Sequence, residues 1–212
     1  MNEGTLAVLI QWCFLCLVWM GLYDRELTRW GMSRPLALAV VAAFLVCSFV
    51  SWKLSFLPSV QVYISGFLLP FLCAGWLYSR IPGRRKRLYL VIGGCMGTLL
   101  FWFRWLLFTD PILAFWDVRW MLPACAFFAA LTVSRSALIQ LFLLLFALPI
   151  SDLLYTVYEW RLAGFGQIGN EYAQDLLWSA LSLSAVCAAV LTLIRRLFRL
   201  KDPEASRTDQ NQ

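Results

Sequence analysis

LYLVIGGCMGTLLFWFRWLLF, residues 88–108, is a continuous apolar run that contains a single charged side chain, Arg104. A hydrocarbon core about 30 Å thick is crossed by roughly 20 helical residues, and this run is long enough to cross it. The run lacks the alternation of polar and apolar residues that is typical of a barrel strand. It therefore predicts a membrane-spanning α-helix.

The composition of the chain places the rest of the sequence in the same class. Of 212 residues, 61% are hydrophobic and 14% are charged, whereas about a quarter of the residues in soluble domains are charged. A soluble core cannot bury that much apolar surface. The composition therefore excludes an ordinary soluble domain.

The apolar runs predict an all-α, polytopic transmembrane helix bundle with seven spans, at residues 5–23, 35–57, 62–79, 88–108, 119–134, 136–158 and 174–194. A six-span alternative stays open, because only Ser134, Arg135 and Ser136 separate the fifth and sixth runs. Residues 1–194 form the predicted transmembrane domain. Residues 195–212 are expected to form a basic juxtamembrane segment and a disordered cytoplasmic tail.

The distribution of Lys and Arg predicts the orientation of the spans. Short cytoplasmic loops are enriched in both residues, and one alternate set of loops, with the C-terminal segment, holds 14 of the 18 cations. The other set holds Lys53, Arg119 and Arg161. We therefore expect the N-terminus outside and the C-terminus inside. The N-terminal MNEGT lacks the positive segment of a signal peptide, so the first span is expected to be retained.

Two basic clusters flank the predicted spans on the cytoplasmic side. Cations in this position fix topology and contact anionic lipid headgroups, and we expect that role rather than nucleic-acid binding. The residues concerned are Arg84, Arg85, Lys86, Arg87, Arg195, Arg196, Arg199 and Lys201. The bilayer is thus one predicted partner; a second membrane protein or another copy of the chain is the other.

The sequence predicts no cofactor, no metal site and no catalytic centre. The chain contains no histidine, which excludes His-ligated metals and His-based triads. Residues 164–169 spell G-x-G-x-x-G, but the predicted context is a loop between spans rather than a strand-to-helix turn. A flexible glycine loop is the expected structure there.

Gly93 and Gly97 are four residues apart on the fourth predicted span. Small residues at this spacing let another helix approach closely. We expect the approaching helix to belong to the same chain, although the spacing alone does not identify it.

Arg104 admits two interpretations. Near the outer end of its span, its guanidinium can extend to the headgroups. Alternatively it faces the bundle and pairs with Asp152, which lies at a similar predicted depth on the sixth span. The candidate outer site of charged and aromatic residues comprises Arg104, Asp110, Asp117, Arg119, Asp152, Glu159, Trp102, Trp105 and Trp120.

FRWLLFTDPILAFWDVRWMLP, residues 103–123, together with the chain length and span pattern, resembles the YphA-like multi-pass membrane proteins of Gram-positive spore-forming bacteria. The shared features are an arginine before a Thr-Asp-Pro turn and an Arg-Trp-Met sequence that opens the next span. The resemblance implies a bacterial cytoplasmic membrane and brings no catalytic motif.

These observations favour a non-enzymatic structural, accessory or partner-binding membrane component. The alternative is a small-solute transporter or channel subunit with an outward-facing polar cavity beside Arg104 and Asp152. Few polar groups lie at mid-bilayer depth, where transport sites are usually found, and this disfavours the alternative.

Overall fold

The computed structural model of the chain describes residues 3–50, 52–57, 59–81, 86–109 and 117–200, with side chains described as far as residue 191 except at residues 56 and 57. Eight α-helices lie in these ranges: α1 (Thr5–Trp19), α2 (Asp24–Arg29), α3 (Arg34–Val50), α4 (Leu69–Arg80), α5 (Lys86–Thr109), α6 (Val118–Val133), α7 (Ala137–Ala163) and α8 (Glu171–Leu200). Three short strands accompany them: β1 (Lys53–Leu57), β2 (Val60–Tyr63) and β3 (Gly166–Ile168).

Helix α7 lies at the centre of the bundle and packs against α4, α5, α6 and α8. Its middle turns are almost fully buried, with Phe142 1%, Leu143 0%, Leu144 0% and Ala147 0% exposed. A helix that is apolar on all sides is buried by its neighbours rather than by one partner. The long apolar run at 136–158 therefore becomes the core of the molecule.

Helices α5 and α7 make the most extensive helix contact among the described residues, and two of the three glycines of α5 allow them to approach closely. A Cβ atom on Gly97 would lie 2.8 Å from Ile150 Cγ2 and 2.9 Å from the carbonyl oxygen of Ala147. A Cβ atom on Gly93 would lie 2.8 Å from the Phe146 ring. The small-residue spacing thus serves packing within the chain, as expected.

Helix α1 packs against α3 and α8 on another side of the bundle. The Trp178 ring of α8 lies 5.3 Å from Phe44 of α3 in an edge-on arrangement and 5.9 Å from Phe14 of α1. Aromatic rings in such arrangements attract one another beyond their buried area. These three rings join α1, α3 and α8 through a common contact.

A three-stranded sheet, which the sequence analysis did not predict, interrupts the helical pattern. β1 pairs with β2 in the antiparallel direction, and β2 pairs with β3 in the parallel direction. The expected helix at 35–57 ends at Val50, and the expected start of the next helix at residue 62 is strand. Pro58 disfavours the helical conformation at Leu57, so the last residue of the predicted run is unfavourable for a helix. The description as all-α is therefore incomplete.

The glycine segment 164–169 was expected to be a flexible loop, and that expectation is wrong for its second half. β3 pairs with β2, and the segment continues past Gly169 into α8. Gly169 has φ +70° and its backbone touches that of Gly66, so a side chain at Gly66 would collide with it. A π-helical turn, Ile64–Leu68, carries Gly66 and leads directly into α4.

All seven predicted runs contain an α-helix. The fifth and sixth are separate helices, α6 and α7, which pack against each other, so they do not fuse into one helix. The predicted domain boundary at residue 194 lies within α8, whose backbone continues to Leu200. A short helix, α2, lies between the first two runs and was not predicted.

Within the described residues, three helical stretches are long and apolar enough to cross a membrane, judged by length and composition: Lys86–Thr109, Ala137–Ala163 and Glu171–Leu191. Three further apolar helices are shorter: Thr5–Trp19, Arg34–Val50 and Val118–Val133.

Candidate functional site

The candidate site lies where the C-terminal halves of α5 and α7 meet the N-terminal ends of α6 and α8; we call this the rim end of the bundle. Here Arg104 Nη1 lies 3.0 Å from Asp152 Oδ1. The side chains of Arg104 and Asp152 are 12% and 7% exposed. The predicted pair is therefore present, and the guanidinium faces the bundle. The close packing of α5 on α7 brings the two side chains together.

Two tyrosine rings flank the guanidinium of Arg104. Its central carbon lies 3.7 Å from the ring centroid of Tyr155 and 5.1 Å from that of Tyr172. A guanidinium at this distance is attracted by the negative face of the ring. Tyr155 follows Asp152 by three residues on α7, so its position on the same face was predictable from helical spacing. Tyr172 comes from α8, and no sequence pattern indicated it.

The second carboxylate oxygen of Asp152 is also occupied. The backbone N–H of Gly169 donates to Asp152 Oδ2 at 2.7 Å. Hydrogen bonds to a charged acceptor are stronger than bonds between neutral groups. Asp152 thereby joins α5, its own helix α7 and the segment between β3 and α8.

A chain of buried and half-buried polar side chains continues from Gly169 across the bundle. Gln174 Nε2 donates to the carbonyl oxygen of Gly169 at 3.4 Å. Ser48 Oγ donates to Gln174 Oε1 at 2.9 Å, and Gln11 Nε2 donates to Ser48 Oγ at 3.2 Å. Gln11 and Gln174 are 0% and 3% exposed. Polar side chains inside apolar runs are the sequence signal that marks such residues, and our site prediction omitted them.

A small cavity adjoins the Arg104–Asp152 pair. The space that the centre of a water molecule can occupy in this cavity is about 10 Å³. This is close to the minimum for holding one water molecule. Ser151 lines the cavity and is 2% exposed, and its hydroxyl has no hydrogen-bond partner within the described part of the chain. Arg104 and Asp152 also line it. The cavity is too small for a solute larger than water.

Three further predicted site residues, Asp117, Arg119 and Glu159, lie at the surface of the rim end. Asp117 caps α6, since its Oδ1 accepts a hydrogen bond from the Arg119 backbone N–H at 3.0 Å. The guanidinium of Arg119 lies 3.7 Å from Glu3 Oε1 and 5.9 Å from the Tyr172 ring centroid. Glu159 is exposed near the C-terminal end of α7. Arg119 therefore reaches the aromatic surroundings of Arg104, whereas Asp117 serves helix capping.

The predicted tryptophans face mainly outward. Trp102 and Trp120 are 58% and 53% exposed. The Trp105 ring lies 5.7 Å from that of Trp102 in an edge-on arrangement. Exposed tryptophans near helix ends are typical of the interface between hydrocarbon and headgroups. Among the described residues, the hydrogen bonds to Asp152 come from Arg104 and Gly169 rather than from these tryptophans.

Asp175 is a buried carboxylate that the site prediction missed. It is 3% exposed and accepts hydrogen bonds from the backbone N–H groups of Gly4 at 2.9 Å and Ala7 at 2.7 Å. Free N–H groups at the start of a helix carry a partial positive charge that a carboxylate stabilises. Asp175 of α8 therefore caps α1, a long-range contact without a local sequence signal.

Some predicted residues lie outside what the structure describes. Asp110 is one, and among the predicted lipid and topology residues Arg84, Arg85 and Lys201 are others. Arg195, Arg196 and Arg199 lie in the last turns of α8, where only the backbone is described. Lys86 donates to the Ser79 carbonyl oxygen at 3.3 Å and lies 4.9 Å from the Tyr78 ring centroid, and Arg87 is exposed.

The chemistry of the site is that of a neutralised ion pair. Both charged groups have partners, and the described residues contain no group of three or more His, Cys, Asp or Glu side chains placed to hold a metal ion. The pair, the two tyrosines and the Gly169 N–H fix the relative positions of α5, α7 and α8. This arrangement stabilises the packing of the rim end.

A sequence model described as YphA-like integral membrane protein matches residues 3–209 of the chain. No curated protein matches the chain, and no solved structure does. The match covers nearly the whole sequence, and it confirms the resemblance seen in residues 103–123. The chain, with its long apolar helices and its buried Arg104–Asp152 pair, is a member of the YphA-like integral membrane protein family.

Proposed function

We propose that the chain crosses the bacterial cytoplasmic membrane seven times, with the N-terminus outside and the C-terminus inside. The proposal is supported by a helix in each predicted run and by the unequal distribution of Lys and Arg between alternate loops. α1, α3 and α6 have 15, 17 and 16 residues, so at about 1.5 Å per residue they extend over most of a hydrocarbon core. The rim end then faces outward.

Within that orientation the protein acts as a non-enzymatic accessory component that binds a membrane partner, which is another protein or a second copy of the chain. The observation that carries this proposal is the arrangement of the buried polar groups. Arg104, Asp152 and Gln174 bond to other groups of the same chain, and the adjoining cavity has room for one water molecule. Transport requires a polar path to mid-bilayer depth, and bonded groups in a closed bundle do not provide one.

The partner surface that we propose is the exposed part of the rim end. It combines Trp102 and Trp120 with the exposed Phe108 and Glu159. Aromatic side chains are enriched where proteins bind one another, and large exposed apolar patches mark such places. The Arg104–Asp152 pair beneath this surface fixes the relative positions of the helix ends that carry these side chains.

Capture of partners from native membranes in mild detergent tests the role. We expect a stoichiometric partner with the unmodified protein, and a several-fold lower yield with Trp102→Ala and Trp120→Ala combined. Trp19→Ala is the matched control, since Trp19 is 71% exposed and is the last residue of α1, at the end of the bundle away from the rim end. Equal losses with the control would contradict the proposed surface.

Reconstitution into liposomes tests the alternative. Because we propose a closed bundle, we expect the purified protein to add no permeability to ions or small solutes. Solute flux that depends on the protein and is abolished by Asp152→Ala, with the variant still folded, would replace the accessory role with transport.

A further inference from the structure

A cleft with a volume of about 400 Å³ lies between α2 and the start of α3, at the end of the bundle opposite the rim end. Its lining combines apolar side chains, among them Leu27, with the polar residues Asp24, Ser33 and Arg34. The buried Leu27 packs with Val18 and Ala37 and anchors α2 to its neighbours. The cleft therefore has a fixed apolar floor and a polar edge.

The proposed membrane arrangement places the cleft at the depth of the lipid headgroups. Trp19, Met20 and Leu22, at the end of α1 and just beyond it, are 71%, 80% and 68% exposed. Such exposure of large apolar side chains at a helix end indicates contact with lipid. The polar residues of α2 follow immediately in the chain, so the cleft opens where hydrocarbon gives way to headgroups.

Two arginines are held in place around the cleft. Arg34 Nε donates to the carbonyl oxygen of Val18 at 3.2 Å, which fixes its side chain beside the end of α1. Arg80 of α4 lies 5.2 Å from the Trp76 ring centroid. Its Nη1 is 2.8 Å from where a Cβ of Gly31 would be, and Gly31 lines the cleft. A glycine at this position leaves room for the guanidinium.

The charges around the cleft match a monovalent anion. Of the lining residues, Arg34 is positive and Asp24 is negative, and Arg80, which reaches the lining residue Gly31, adds one positive charge. A guanidinium binds phosphate through two parallel N–H groups, a geometry that lysine cannot reproduce. Basic pockets at the cytoplasmic ends of membrane helices bind anionic headgroups.

We propose that this cleft binds the phosphodiester group of an anionic phospholipid, with Arg34 and Arg80 as the phosphate-binding residues and the acyl chains against the exposed end of α1. This deepens the proposed contact with anionic lipid and depends on the proposed orientation only for the leaflet that supplies the lipid. It assigns a specific lipid site to residues outside the two basic clusters.

Native mass spectrometry of the full chain in detergent tests the proposal independently of orientation and of any protein partner. The probes are phosphatidylglycerol and phosphatidylcholine with identical acyl chains. We expect one phosphatidylglycerol to be retained in preference to phosphatidylcholine. Because each arginine makes charge-assisted bonds to phosphate, Arg34→Ala and Arg80→Ala should each lower this retention about tenfold.

Arg29→Ala is the matched control. Arg29 lies on α2, is exposed and pairs with Glu26 at 3.3 Å. Arg29 and Arg80 both lie outside the cleft lining, but only Arg80 is seen to reach the lining residue Gly31. Retention should be unchanged in this variant. An equal loss with Arg29→Ala, or equal retention of the two lipids by the unmodified protein, would overturn the site.

Two further measurements complete the test. Arg34 also bonds to α1, so the unfolding temperature of each variant is measured to detect a loss of stability. Arg80→Ala leaves the bond between Arg34 and Val18 in place, so its effect on lipid retention does not include the loss of that bond. Calorimetry with inorganic phosphate separates the two sources of the anion. Arg34-dependent phosphate binding without preference for phosphatidylglycerol would assign the cleft to a soluble anion and reject the lipid.

Discussion

Asp152 shows how a charged group is accommodated in an apolar bundle. Placing a carboxylate at the centre of a membrane helix costs about 2.5–3.5 kcal/mol on insertion scales. Here one oxygen accepts from Arg104 at 3.0 Å and the other from the Gly169 backbone at 2.7 Å. Each charge compensates the other, so the removal of one leaves its partner buried and uncompensated.

Arg104→Ala is therefore expected to destabilise the protein by about 3–5 kcal/mol. Asp152→Ala should cost a similar amount, and the double variant should cost less than the two single effects added together. Unfolding by denaturant in detergent measures all three free energies. Arg161→Ala is the control, because Arg161 is exposed near the end of α7. Additive single effects would show that Arg104 and Asp152 are not energetically coupled.

Ser151 gives a second prediction beside the same pair. Because the cavity has room for one water and is lined by Ser151, Arg104 and Asp152, we expect an ordered water in an experimental structure. Ser151→Ala should remove the water and cost about 1 kcal/mol. Ser179→Ala is the control, since its hydroxyl also has no partner among the described residues but does not line this cavity. If Ser151→Ala is neutral or stabilising, the cavity is dry.

The sequence predicted part of this site. Arg104 and Asp152 were recognisable because each is an isolated charge in an apolar run and their helical depths are alike. Gly169 and Tyr172 could not be recognised, because their contacts with Asp152 and Arg104 depend on how the segment from β3 to the start of α8 packs against α5 and α7. Gln11 and Gln174 carried the signal of buried polar residues, but their connection through Ser48 is a tertiary contact that spacing does not reveal.

Among the elements, α5 and α7 show how glycine sets a helix contact. Gly97 faces α7, whereas a Cβ on Gly94 would meet no atom within 4 Å. The two residues lie on different faces of the same helix. Adding a methyl group at each position therefore separates the effect of packing from that of helix propensity.

Gly97→Ala is expected to destabilise the protein by about 1–3 kcal/mol, because the added methyl group meets Ile150 and the Ala147 backbone. Gly94→Ala should change the stability by less than about 1 kcal/mol, in the stabilising direction, since alanine favours helix more than glycine does. The free energies of unfolding of the two variants are compared directly. Equal effects at the two positions would show that α5 does not pack through Gly97.

The sheet explains why the limits of the second and third runs were predicted wrongly. The residues on both sides of Lys53 are hydrophobic, so a search for long apolar runs includes residues 35–57 in one predicted helix. Lys53–Leu57 instead pairs with Val60–Tyr63, and β3 is added from more than 100 residues away. The partner that makes these residues a sheet is remote in sequence, and short strands give a weak local signal.

The distribution of charge along the sequence determines the proposed orientation. The loops and the C-terminal segment that we place inside hold 14 of 18 cations, and the loops that we place outside hold Lys53, Arg119 and Arg161. Because Lys and Arg are retained on the cytoplasmic side during insertion, this difference favours one direction for all the spans. The loop between α4 and α5, together with the flanking ends of these helices, contributes five of the cations, from Arg80 to Arg87.

Fusions to a phosphatase that is active only outside, and to a fluorescent protein that matures only inside, test this orientation. We expect an outside signal after Gly4 and Gly164, and an inside signal after Gly83 and Gln212. Replacing Arg84, Arg85 and Arg87 by alanine should give mixed orientation at Gly83, because it removes most of the positive charge of that loop. Replacing Lys53, Arg119 and Arg161 is the control and should leave all four signals unchanged. An outside signal after Gly83 in the unmodified protein would place the rim end on the cytoplasmic face. It would also reject the seven-span arrangement with an external N-terminus.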